Sequence, residues 1–201
     1  MSINLQKGQR IVLEKKDGST LNNFCIGANW GVIKGRGIFG GEKNISVDLD
    51  LSVGLFNKKR QLVNTIYFRN LSERGIRHSG DDLVGDKFGD DGLDNEVISI
   101  NLNDIASNVE QIVFVLNSYK KQDFATIPFA SIRLYEGTPS QVNRIFATYN
   151  IASDKKFAGY VSMILGKLYK HNGKWKFSAI GEASKARNLR DTLNVVEDRF
   201  L

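Results

Sequence analysis

Between Asp81 and Glu96 the chain sets six aspartates and one glutamate against a single base, Lys87. They lie in the stretch HSGDDLVGDKFGDDGLDNEV, His78 to Val97. Mutual repulsion raises the free energy of so many carboxylates in one place. Water on an extended loop relieves it, and so does a hard cation. Ca2+ takes six to eight oxygens at about 2.3–2.6 Å, from carboxylates, backbone carbonyls and water. The interspersed glycines let the chain turn sharply and bring carbonyls to such an ion. A second acidic feature is the pair Asp48 and Asp50. Two apart on a predicted strand, they leave the same face with Cα atoms roughly 6.5–7 Å apart, close enough to converge on one or two ions. Pattern alone leaves open whether pair and loop meet, and whether the loop is a cation site or simply solvated.

The donor types narrow the ion. Zinc selects cysteine and histidine clusters, and this chain has one cysteine and two distant histidines. Mg2+ keeps its waters and uses few protein ligands, which leaves Ca2+ preferred. The loop is not an EF-hand. From Asp86 the sixth position is Asp91 instead of glycine, and from Asp90 the twelfth is Asn101. Gly92-Leu93-Asp94 resembles a calcium-binding nonapeptide, but one copy is not a repeat.

The net charge is +6 over 201 residues. The bases outside the acidic loop are scattered (Lys15-Lys16, Lys58-Lys59-Arg60, Lys120-Lys121, Lys155-Lys156), the pattern of a solvated surface and not of a nucleic-acid footprint. One cysteine, Cys25, rules out an internal disulfide framework and fits a reducing compartment. The opening MSINLQKGQRIVL lacks a signal-peptide core, and no stretch is long enough to span a bilayer. These features predict a soluble cytoplasmic protein. Cys25 lies in an apolar run and is expected in the core. His78 is expected to make a structural hydrogen bond, His171 to sit exposed in a turn, and Trp30 and Trp175 to be core or rim aromatics.

The elements that would position these residues are mostly strands. Ile11–Leu13, Phe24–Trp30, Asn44–Phe56, Leu62–Phe68, Val97–Ile100, Gln111–Leu116, Phe129–Tyr135, Arg144–Asn150, Tyr160–Tyr169 and Trp175–Ile180 show alternation or short β-branched runs. In Asn44–Phe56, Val47, Leu49, Leu51, Val53 and Leu55 share one face, and Asp48, Asp50 and Ser52 the other. Asn172-Gly173 predicts a type I′ hairpin turn. Gly31–Lys43 reads as a glycine-rich hairpin loop, since it lacks the Gly-Lys-Ser/Thr ending of a phosphate cradle. Helices are expected at Ala183–Val196, from Ser153, and for one turn at Asn103–Asn108 with Asn103 as cap. The expected fold is all-β, a β-sandwich with a few short helices including a C-terminal one, in one domain over residues 1–201.

Several ordered segments resemble the TerD family, the tellurium-resistance and stress-response proteins of bacteria. They are Leu5-Gln6-Lys7-Gly8-Gln9, Asp48-Leu49-Asp50, Tyr67-Phe68-Arg69-Asn70-Leu71, His78-Ser79-Gly80-Asp81-Asp82 and Gly89 through Glu96. Ile112-Val113-Phe114-Val115, Ile132-Arg133 and Gly166-Lys167-Leu168-Tyr169 through Phe177 are similar to the family's later strands. The chain departs from the pattern at Gly31, where an acid is common after the tryptophan, and in a longer Gly85–Asn95 loop. The resemblance implies a β-sandwich that binds Ca2+ at one end, here two ions. Its ligand set falls on Asp48, Asp50, Asp81, Asp82, Asp90, Asp91, Asp94 and Glu96, with carbonyls near Gly80, Leu83 and Gly89. It also implies a role in stress resistance with membrane-associated partner proteins, hence a cytoplasmic chain or one peripheral at the inner membrane face. A non-enzymatic calcium-ordered binding or scaffold module is the expected function. A metal-dependent phosphoester hydrolase and a Ca2+-dependent module for anionic membranes are the alternatives.

Overall fold

The computed structural model describes residues 3–4, 8–11, 13–14, 18–37, 40–151 and 155–201. In chain order the strands are β1 (Ile3–Asn4), β2 (Arg10–Ile11), β3 (Asn23–Trp30), β4 (Ile33–Arg36), β5 (Glu42–Ile45), β6 (Leu49–Phe56), β7 (Leu62–Ile66), β8 (Ser72–Glu73), β9 (Ile76–His78), β10 (Glu96–Asn101), β11 (Gln111–Ser118), β12 (Ala130–Thr138), β13 (Gln141–Asn150), β14 (Ser162–His171) and β15 (Lys174–Ser184). A helix, α1, spans Leu189–Arg199.

Two sheets face each other. One runs β1-β13-β12-β3-β10-β9-β8 and the other β2-β15-β14-β11-β6-β7, with β4-β5 as a separate hairpin. The alternation in β6 explains the packing. Leu49, Leu51, Val53 and Leu55 join Ile112, Phe114 and Leu116 of β11 and meet Ile26, Ala28, Ile98, Ile132 and Leu134 from the opposite sheet. The unbroken apolar run in β11 has a second cause. Val113 and Val115 point outward, where Leu193 and Val196 of α1 cover them. That helix buries one face of the six-stranded sheet on the outside.

Several sequence expectations shift. The predicted Asn44–Phe56 strand divides into β5 and β6 around Ser46–Asp48. The predicted Ala183–Val196 helix starts later, because Ala183 and Ser184 end β15 and Asn188 is the cap, its Oδ1 accepting from Asp191 N at 2.9 Å. Asn103–Asn108 forms turns and not a helical turn, with Asn101 Oδ1 accepting from Asn103 N at 3.2 Å. Of the strand expected at Ile11–Leu13, Ile11 pairs with β15 next to Arg10, Leu13 is buried, and residue 12 lies outside the described residues. The helix start at Ser153 lies outside the described residues. Asn172 and Gly173 have φ of 52° and 73°, as the hairpin turn requires. Cys25 and Trp30 are buried, and His171 is exposed.

Candidate metal centre

The acidic loop leaves β9 and returns in β10, which pair so that His78 faces Ile98. Both ends therefore open at one edge of the sandwich. The loop is stapled to the lead-in of β6 by Val47 N donating to Val84 O at 3.0 Å. It is also stapled to the end of β3, where Asp86 N donates to Trp30 O at 2.9 Å and Trp30 N to Asn95 Oδ1 at 2.7 Å. Trp30 Nε1 closes the knot by donating to Val47 O at 2.9 Å. Gly85, at φ 78°, passes against the Trp30 ring where a Cβ would collide. These contacts bring the loop over Asp48 and Asp50.

Two groups of carboxylates result among the described residues: Asp48, Asp50 and Asp81, and Asp86, Asp90 and Asp91. In each, one oxygen per residue lies within 4.8 Å of the others. Two oxygens bound on opposite sides of one Ca2+ stand about 4.6–5.2 Å apart, so the spacing fits a shared ion. In the first group Asp48 and Asp50 are buried, with only 2% and 7% of their surface exposed, while Asp81 is exposed. Lys120 Nζ sits 3.5 Å from Asp48 Oδ2, on the rim. Burial, with Glu96, Asp48 and Asp81 adding repulsion, pushes the Asp50 carboxyl up to about 8. Burial also raises Asp48, against the pull of Lys120.

The second group is built by loop hydrogen bonds. Asp90 Oδ1 accepts from Asn29 Nδ2 and Gly92 N, both at 2.8 Å. Asp91 Oδ1 accepts from Leu93 N at 2.9 Å, and Asp86 Oδ1 from Asn95 Nδ2 at 3.0 Å. Asn29 Oδ1, buried and without a partner, adds an oxygen beside this group. Asp86 and Asn29 are absent from the ligand set the resemblance implies. Asp86 belonged to the same run of seven acids, whereas Asn29 carried no sequence signal.

The remaining expected residues have other surroundings. Asp82 Oδ1 accepts from Val84 N and Gly85 N at 2.8 Å, which shapes the loop. Glu96 is buried. Its Oε2 accepts from Leu51 N at 2.8 Å, its Oε1 accepts from Asp82 N at 3.3 Å, and His78 Nε2 is 3.5 Å away. Since Gly80 N donates to His78 Nδ1 at 3.1 Å, the ring proton sits on Nε2 and is given to Leu51 O at 2.8 Å. The Leu83 carbonyl accepts from Lys120 at 2.9 Å. Gly80 and Gly89 supply left-handed turns at φ 126° and 104°. Asp94 joins neither group and pairs with Arg133 instead.

All donors at both groups are oxygens, which suits a hard cation and not zinc. No helix is long and apolar enough to cross a membrane among the described residues.

The TerD-domain family model matches residues 1–194. The stress response protein SCP2 of Bacillus subtilis (strain 168) is 37% identical over 209 residues, covering 96% of this chain and 98% of that protein. The tellurium resistance protein TerZ of Serratia marcescens is 32% identical, over 94% of each. Among solved structures, a homologue of telluride resistance protein (TerD) from Streptomyces coelicolor A3(2) aligns with a TM-score of 0.64 over 83% of this chain and 92% of that one. At 13% identity that likeness concerns the fold. The chain belongs to the TerD family of tellurium-resistance and stress-response proteins.

Proposed function

We propose that this chain is a non-enzymatic stress-response module that binds two Ca2+ ions, one at each carboxylate group, and uses them to order the loop between β9 and β10. The observation that carries this reading is the convergence of Asp48, Asp50 and Asp81, two of them buried, at a spacing that suits one ion. Asp48, Asp50 and Asp81 would hold the first ion, and Asp86, Asp90 and Asp91, with Asn29 beside them, the second. Each ion supplies positive charge that offsets carboxylate repulsion and ties the loop to β6. Because Ca2+ binds the folded chain, each ion stabilises it by about 2.7 kcal/mol at a hundredfold excess over its dissociation constant. The test is a thermal melt in excess Ca2+ and in chelator. A rise of several degrees with Ca2+ is expected, and identical curves would defeat the proposal.

One observation favours a membrane as the surface that the ordered loop meets. Phe88, at the tip of the loop, is 99% exposed, and Leu83 and Leu93 on the same loop are also exposed. Projecting apolar side chains beside Ca2+ suit an anionic bilayer, with the ion bridging carboxylates and lipid phosphates. Cosedimentation with phosphatidylserine vesicles in Ca2+ but not in chelator is expected, and weaker binding by Phe88→Ser. Equal binding by both proteins would remove this second reading.

A further inference from the structure

Beside the first carboxylate group lies a cavity of about 300 Å3 between β6, β11 and the start of α1. We propose that it binds a small organic anion, a carboxylate or phosphonate-like group on a planar apolar body, with the charged end between α1 and the ion held by Asp48, Asp50 and Asp81.

The floor is polar. Asp50 and Ser52 share one face of β6, and Asn117 of β11 stands directly opposite Asp50 in the ladder. Asn117 Nδ2 donates to Ser162 Oγ at 2.6 Å and Thr192 Oγ1 at 2.9 Å. Its Oδ1 has no partner although the residue is only 3% exposed, and Ser52 Oγ is buried and equally unpartnered. Buried polar atoms without partners are rare, and three of the residues that carry them, Ser52, Asn117 and Ser118, line this cavity. Asp50 lines both this cavity and the carboxylate group, which sets the two side by side.

The walls are aromatic. Phe68 meets Tyr67 edge-on at 5.3 Å and Tyr119 at 6.0 Å. Such rings accept a planar apolar body by edge or face contact. The rim is positive. The first residues of α1, Leu189 and Arg190, open onto the cavity, and Lys121 lies beside them, donating to the Arg187 carbonyl. The start of an 11-residue helix favours negative charge. Asp191 opposes this from the first turn, where its carboxylate accepts from Asn188 Nδ2 at 2.7 Å. Arg69, over the Phe68 ring at 5.3 Å, adds to the positive side. The volume is at the lower end for small-molecule sites, which excludes large ligands. The role given to the ion rests on the Ca2+ reading above, whereas the walls and rim do not.

The test titrates phenylphosphonate and benzoate into the full chain, in Ca2+ and in chelator, by calorimetry. Saturable binding of at least one probe in Ca2+ is expected, at least tenfold weaker in chelator, with methylphosphonate weaker than phenylphosphonate. Arg190→Ala and Tyr119→Ala, both at the solvent side, should each weaken the probe about tenfold and leave the Ca2+ titration unchanged. Failure of both probes to bind the Ca2+-loaded protein, or binding indifferent to both variants, overturns the proposal. A silent Ca2+ titration defeats the metal reading separately. The cavity is then judged on the chelator arm, where loss of probe binding in Arg190→Ala sustains an ion-free anion site and no binding ends it.

Discussion

Arg133 Nε lies 2.8 Å from Asp94 Oδ1, and the aspartate side chain is fully buried. Burial raises the Asp94 carboxyl to about 6 even against the guanidinium. Its other oxygen has no partner, and Gly27 passes so close that a Cβ there would overlap it. Asp94 thus serves β3 and β12 as a structural anion. Arg133→Ala leaves that anion uncompensated and should cost about 3–5 kcal/mol in urea denaturation. Asp94→Asn should keep the Ca2+ stoichiometry measured by calorimetry. Loss of an ion in Asp94→Asn would make it a ligand after all.

The two carboxylate groups should behave as separate sites. Asp50→Asn removes a buried oxygen donor from the first, and Asp91→Asn an exposed one from the second. Calorimetry should fall from two ions to one in each, and to none in the double variant. Loss of both ions in either single variant would mean one shared site.

Stability should depend on pH more steeply without metal than with it. Asp50 titrates at about 8 in the folded chain against an ordinary 3.8, and Asp94 at about 6. The folded state therefore binds more protons than the unfolded one between about pH 4 and 8. Their contribution is complete below pH 4 and lost as pH rises through the folded values, by up to about 1.4 kcal/mol per pH unit for one group. In chelator, the melting temperature should fall from pH 5 to pH 8. On the proposed reading Ca2+ replaces the proton on Asp50, so the loss should shrink in Ca2+, and the apparent affinity should rise towards pH 8. A melting temperature in chelator that rises over this range would contradict the burial of Asp50.

Much of the frame was legible because it depends on local alternation. The inward set of β6, Leu49 through Leu55, follows directly from period two, and the Asn172-Gly173 turn from its φ requirement. The burial of the outward set was not legible. Asp48, Asp50 and Ser52 look like a solvated face until the loop and α1 cover them from a distance. The start of α1 slid for a related reason, since Ala183 to Ala186 suits a strand end as well as a helix, and only Asn188 marks the boundary. Within the acidic loop, spacing does not say which carboxylate turns where. Asp86 faces Asp90 and Asp91, while Asp94 turns to Arg133, 39 residues further on.

Asn117 links the first carboxylate group to the helix, and that link can be measured. Opposite Asp50 on one side, it donates to Thr192 of α1 on the other. Thr192 Oγ1 also donates to the Asn188 carbonyl at 2.8 Å, so Asn117→Ala leaves the helix cap intact. It removes the bond that holds α1 to β11 and leaves Ser162 Oγ without it, at a cost of about 1–3 kcal/mol. The apolar contacts of Leu193 and Val196 remain, so the chain should still fold. Amide exchange should then quicken in α1 while the amides of β3 and β10 keep their protection, because α1 packs on the outside and opens without the core. Uniform loss of protection across both sheets would show that Asn117 supports the whole fold and not the docking of α1 alone.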